Sequence, residues 1–186
     1  MKQSLGANPC IYPQPVLIVA TFNADGTANA MNAAWGGVCD YKKISLILDK
    51  GHKTVKNLLE RKAFTVSIAD VPHVVQADYL GLVSGNTESD KVTKAGLTWT
   101  KSGTVDAPVI AEFPLTLECT LESYDESTER ATAAVVNTLA DSAILTEGKI
   151  DLQKFRPLTF DPVNHDYVAL GGKAGKAFHD GKALMQ

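Results

Sequence analysis

The sequence predicts a mainly β fold, a barrel of antiparallel strands with helices at its periphery. Three observations carry this. Short apolar or alternating runs joined by turn chemistry recur along the chain, only two segments have a helical period, and the strand–helix alternation of a parallel nucleotide-binding sheet is missing. At 186 residues the chain fits one domain, residues 1–186, large enough to bury a sizeable core without disulfides or structural metal.

The elements follow in order. Val16 to Phe22 is rich in branched and aromatic residues, and Asn23, Ala24, Asp25 and Gly26 supply a turn before the strand around Ala28 to Ala34, so the two form a hairpin. Ile44 to Leu48 is a strand leading directly into Asp49, Lys50 and Gly51. Val55, Leu58 and Leu59 then mark one face of a helix running to about Arg61. Phe64 to Ala69 alternates as a strand, and His73 to Leu82 forms a second helix ahead of the polar loop SGNTESDKVTKAG. Leu115 to Tyr124 alternates over ten positions, a long half-buried strand. Residues 129 to 145 suit helix or strand by local pattern; strand is preferred, because the preceding strand needs an antiparallel neighbour. A helix over residues 150 to 155, ended before Pro157, is an open alternative, and the glycine-rich tail is expected to dock as loop.

Composition excludes several functions. A net charge of −3 with 18 scattered basic residues offers no footprint for nucleic acid. Cys10, Cys39 and Cys119 are odd in number and widely spaced, which indicates neither a disulfide framework nor a zinc site and fits a reduced, cytoplasmic setting. The apolar run Val16 to Ala20 is too short to span a bilayer, so no membrane anchor or signal peptide is expected. No GxGxxG or P-loop sequence is present, which removes the usual route to tightly held NAD or ATP.

The chemistry concentrates between residues 29 and 54. Asn29, Ala30, Met31, Asn32, Ala33 and Ala34 make a strand of short, amide-bearing side chains that a planar ligand can approach, and Trp35 and Met31 add flat or polarizable surface. Lys50, His52, Lys53 and Thr54 then open a helix, whose free N–H groups and positive end suit a phosphate. Alone, each piece has an ordinary structural explanation. Together they match the two ends of flavin mononucleotide (FMN), an aromatic ring joined by a ribityl chain to a phosphate. The hydroxyls, amides and cation of the later loop, Ser84 and Lys91 among them, could close over the phosphate or ribityl part. His52 is read as a phosphate contact rather than a base, and Cys39 as a buried, inert thiol. His165 and Tyr167 are read as tail packing.

The runs PQPVLIVATFNADGTANAMNAAWGG and ILDKGHKTVKNLLERKAFTVSIA, the SGNTESDKVTKAG loop and the LGGKAGKAF tail, in this order, resemble the flavin reductase-like family and within it the flavoredoxin group. The resemblance implies an FMN-binding split β-barrel and a homodimer with flavin near the interface. It also implies redox chemistry with NAD(P)H or a redox protein as electron donor. On that likeness Asn29 to Trp35 face the ring, while Lys50, His52, Lys53 and Thr54 hold the phosphate end, completed by Ser84 and Lys91. Three functions follow as expectations: an NAD(P)H-dependent flavin reductase, an electron-transfer protein with tightly bound FMN, or a barrel that has lost its cofactor and serves as a binding module.

Overall fold

Residues 1–185 are described by a computed structural model. A short strand β1 (Gln14–Pro15) precedes the hairpin of β2 (Leu17–Phe22) and β3 (Ala28–Ala33), whose turn hydrogen-bonds Asn23 N–H to Thr27 O and places Gly26 at φ 83°. Then come β4 (Gly36–Asp40), β5 (Lys43–Ile47), helix α1 (Lys53–Arg61), β6 (Ala63–Ile68), α2 (Val74–Leu82) and α3 (Lys91–Lys94). The second half holds β7 (Trp99–Lys101), β8 (Pro108–Ile110), β9 (Leu115–Asp125), β10 (Arg130–Ala140), β11 (Leu145–Thr146), β12 (Lys149–Ile150), β13 (Leu158–Asp161) and β14 (Asp166–Ala169).

Seven strands form one antiparallel sheet in the order β3-β2-β6-β9-β10-β5-β4. Its two edge strands, β3 and β4, are consecutive in sequence and separated only by Ala34 and Trp35. Three Cα steps reach at most about 10 Å, so the sheet must curl until its edges meet. Gly36 stands at the closure, where an added Cβ would lie 2.4 Å from Leu46 Cδ2, 3.1 Å from Leu17 Cδ1 and 3.1 Å from the Ser45 carbonyl. The result is a split β-barrel with peripheral helices, the predicted class.

Strand alternation divides the apolar residues between two cores. Leu17, Val19, Leu46, Phe64, Val66 and Cys119 fill the barrel with Val55 and Leu58 of α1. Ile18, Ala20, Ala28 and Ala30 face outward and pack under Ala77 and Leu80 of α2 and Val92 of α3. A buried polar seam fixes α1 to the hairpin: Asn57 Nδ2 donates to Thr21 Oγ1 at 3.1 Å and to Asn23 Oδ1 at 2.9 Å, and Asn29 Nδ2 donates to Thr54 Oγ1 at 2.8 Å.

Two expectations change and one is met. No helix forms over 150 to 155, because the Asp151 carboxylate captures the Gln153 N–H at 2.8 Å and the Thr146 hydroxyl at 2.7 Å, turning the chain instead. The tail is more regular than a docked loop at first, since β14 pairs with β13 beside β1, and then less docked, since residues 170–185 are exposed. Residues 129 to 145 carry the preferred strand, β10, paired along β9 and β5. Among the described residues no helix is long and apolar enough to cross a membrane.

Gly36→Ala is expected to destabilise the fold by about 1–3 kcal/mol through overpacking at the closure. Gly37→Ala, with nothing within 4 Å of the added methyl, should be close to neutral. Urea unfolding of both variants checks the pair, and equal midpoints would remove closure as the reason for glycine at position 36.

Candidate functional site

The edge strand β3 is straddled by helices. α1 covers the barrel-facing side of the hairpin and α2 and α3 the opposite side, so residues of both strand faces meet at its free edge. There Met31 and Asn32 of β3, His52, Lys53 and Thr54 at the start of α1, Leu80 to Val83 at the end of α2, and Ser84, Gly85 and Lys91 enclose a cavity of about 190 Å³.

Local sequence builds the phosphate-like end. The Asp49 carboxylate accepts the Gly51 N–H at 2.6 Å and its carbonyl the His52 N–H at 3.0 Å, turning β5 into α1. His52 occupies the N-cap position with no side-chain cap, and the first turn has no acidic residue, leaving the positive helix end open to an anion. Thr54 is buried and its oxygen already accepts from Asn29, so its own proton is available to a ligand. The 83–91 loop is pinned to this helix end by Asn86, whose Nδ2 donates to the Gly51 carbonyl at 2.9 Å. Gly85 permits that approach: a Cβ there would lie 2.2 Å from Asn29 Oδ1 and 3.2 Å from Lys53 Cβ.

Lys91 is 2% exposed, with Nζ donating to the carbonyls of Leu80 at 3.0 Å and Val83 at 2.7 Å. No carboxylate pairs with it among the described residues, and burial pushes its pKa down to about 8. An amine with three donors and two carbonyl partners retains one N–H for a ligand. An uncapped helix start, a buried lone cation and a glycine cradle fit a phosphate group.

Two further cavities continue along β3. One, of about 260 Å³, shares Asn32, Gly81 and Leu82 with the first and adds Ala33, Ala34, Asp78, Phe160 and Tyr167. The next, of about 640 Å³, begins at Ala34 and Trp35 and includes Gly36, Arg130 and Pro162. Shared residues therefore make a track from the helix start past Asn32 to Trp35, running from a polar to an apolar end.

The structure thus brings Met31, Asn32, His52, Lys53, Thr54, Ser84 and Lys91 around one cavity, with Asn29 behind Thr54. Ala33, Ala34 and Trp35 stand further along the track, Trp35 being 57% exposed. Ala30 lies on the same face as Asn32 but is fully covered by α2, in the core, and lines none of these cavities. Lys50 is exposed, its backbone N–H weakly bonded to the Glu129 carboxylate at 3.4 Å, and lines none of these cavities. Cys39 is exposed on edge strand β4 rather than buried; the buried thiol is Cys119, pushed up to about 12 by burial. Tyr167, expected to serve tail packing, instead hydrogen-bonds Asn32 at the second cavity, whereas His165 does pack, stacked on Phe160. Gly81, Gly85 and Asp78 were missed: a glycine needed for a long-range approach looks locally like any loop or helix glycine.

Known proteins share this fold. The model of the flavin reductase like domain matches residues 10–159. Flavoredoxin of Desulfovibrio vulgaris (Miyazaki F) is 38% identical and superposes with a TM-score of 0.93, over 97% of this chain and all of that one. Flavoredoxin from Methanosarcina acetivorans is 28% identical with a TM-score of 0.89, over the full length of both. An FMN-binding domain of a flavin reductases-like enzyme from Shewanella baltica, at 21% identity and a TM-score of 0.79, covers 88% of this chain and 89% of that one and shares the fold. The fold is a split barrel of the flavin reductase-like kind. The chain belongs to the flavin reductase-like family.

The lone lysine makes a pH prediction. The unfolded chain holds this proton to about 10.5 and the folded chain gives it up near 8, so between those values the unfolded state carries more protons. Stability of the ligand-free protein should therefore gain from Lys91 as pH rises from 8 toward 10.5, while affinity for inorganic phosphate falls as the cation is lost. Thermal unfolding and phosphate titration across pH 7 to 10 check both, with Lys91→Met abolishing both trends.

Proposed function

We propose that this protein holds FMN along the β3 edge, phosphate at the start of α1 and ring toward Trp35, and acts as a flavoprotein oxidoreductase. The observation that carries the reading is the uncapped α1 start, with buried Thr54 in its first turn, sharing one cavity with buried Lys91 that continues past Asn32. In this assignment Lys53, Thr54, Ser84, Lys91 and the α1 N–H groups bind the phosphate, and His52 lines the same end. Met31, Asn32, Ala33 and Ala34 flank the chain and ring, and Trp35 caps the apolar end. Bound FMN supplies reversible two-electron or one-electron chemistry at its ring. The protein's part is to bind, orient and shield, which needs no catalytic triad or paired carboxylate.

The first reading of the activity is an NAD(P)H-dependent flavin reductase, in keeping with the family. The second is an electron-transfer protein that keeps its FMN and takes electrons from a redox protein; the full-length likeness to a flavoredoxin at 38% identity favours it. A second copy of the chain is the expected partner, supported by the apolar residues left uncovered at one barrel edge, Val38 at 84%, Tyr41 at 103% and Val136 at 49% exposure. A reduced, cytoplasmic setting accords with the exposed free thiol of Cys39.

Lys53→Ala and Thr54→Ala are expected to weaken FMN by about 10- to 100-fold, the worth of one or two charge-assisted hydrogen bonds, and riboflavin by far less. Equal losses for the two ligands, measured by fluorescence titration, would overturn the phosphate assignment. Anaerobic mixing of the FMN-loaded protein with NADH or NADPH separates the two activities. Prompt bleaching of the flavin band supports the reductase, and bleaching only by a reduced redox protein supports the carrier.

A further inference from the structure

Asn32 stands where three elements from distant parts of the chain meet. Its Nδ2 donates to the Ala77 carbonyl of α2 at 3.0 Å and to the Tyr167 hydroxyl of β14 at 3.1 Å. That hydroxyl donates in turn to Asp78 Oδ1 at 2.9 Å. Gly81 closes the corner, since a Cβ there would lie 3.2 Å from Asn32 Cβ.

The direction of this relay follows from the groups in it. An ionised carboxylate only accepts, so Tyr167 must donate to Asp78; its oxygen is then free to accept, and Asn32 must turn its nitrogen, not its oxygen, toward it. Both amide hydrogens are thereby committed. Asn32 Oδ1 has no protein donor among the described residues, and the residue lines both the phosphate-end cavity and its neighbour. We infer that Tyr167 and Asp78 are positioning residues that lock the Asn32 amide so that its carbonyl oxygen accepts a hydrogen bond from an N–H or O–H of the flavin's ring or ribityl chain.

This deepens the FMN reading and rests on it. Burial and the Asp78 carboxylate push the Tyr167 phenol up to about 12, so the hydroxyl keeps its proton, and the relay its direction, throughout the physiological range. Phe160 lies against the same phenol ring, 6.0 Å between centroids, which holds the ring in place when its hydroxyl is removed.

The test compares Tyr167→Phe, Asn32→Ala and the double variant in binding riboflavin and FMN, with the visible spectrum of the bound flavin recorded for each. Tyr167→Phe is expected to weaken both ligands by the same factor, about 3- to 10-fold, and to shift the spectrum in the same direction as Asn32→Ala. In the double variant it should add nothing to the loss from Asn32→Ala. A lower melting temperature with unchanged affinity and spectrum, or losses that add in the double variant, would make Tyr167 a packing residue and overturn the inference. If Tyr167→Phe does not fold, Asp78→Asn, which leaves the phenol ring untouched, is expected to weaken both ligands equally. Unchanged binding there overturns the inference as well. Wild-type protein that takes up neither flavin overturns the FMN reading and this inference with it, whereas normal wild-type binding with unaltered variants overturns the inference alone.

Discussion

The site depends on how the barrel closes. With β3 and β4 at opposite ends of a seven-strand order and two residues between them, the sheet has no choice but to curl. Closure occurs at Trp35 and Gly36, where the Trp35 carbonyl accepts from Ile47 N–H at 2.8 Å and Gly36 pairs with Leu46. Ahead of that point β3 keeps a free outer edge. An unpaired strand edge is elsewhere an invitation to aggregation. Here helices stand on either side of it, and the groove between them is the candidate site.

What gives that groove the polar end to which we assign the phosphate is the seam beneath α1. Buried amides and hydroxyls are costly unless each finds a partner. Asn57 donates to Thr21 and Asn23 of the hairpin and Asn29 of the hairpin donates to Thr54, and together these bonds set the axial position of α1 against β3. Arg61 adds a clamp at the other end of the helix, donating to the Asn23 carbonyl at 2.8 Å and pairing with Asp106 at 3.2 Å. The bonds that hold the helix therefore leave its uncapped start and the Thr54 proton directed into the cavity, where the Leu80 and Val83 carbonyls hold the Lys91 amine. Among the described residues Lys91 has no counter-ion, an arrangement that an incoming dianion would relieve.

Much of this was legible locally. The hairpin, the β5 strand running into a basic helix start, both helices and the long β9 strand follow from period and turn chemistry. The placement of Lys53 and Thr54 at a helix start is legible because a helix N-terminus announces itself within a few residues. The amide of Asn32 stands out among small neighbours, and the structure puts it at the same cavity. Ala30 lines none of the cavities because α2 covers it, and Lys50 none because the Asp49 turn leaves it outside. Cys39 failed because β4 is an edge strand, which no local pattern reveals. Tyr167 was set aside because its partner lies 135 residues away.

The sequence alone determined the element types, the basic helix start, the amide-rich strand and the absence of a dinucleotide fingerprint, because each is written in neighbouring residues through backbone period, turn geometry and side-chain chemistry. Only the tertiary structure decided which face of β3 each residue serves, which hydrogen of Thr54 or oxygen of Asn32 is left for a ligand, and why glycine stands at 36, 81 and 85. Those are consequences of closure and of contacts between segments far apart in the chain. A pairwise contact of that kind leaves no local trace, since what it constrains is the distance between two segments rather than the conformation of either.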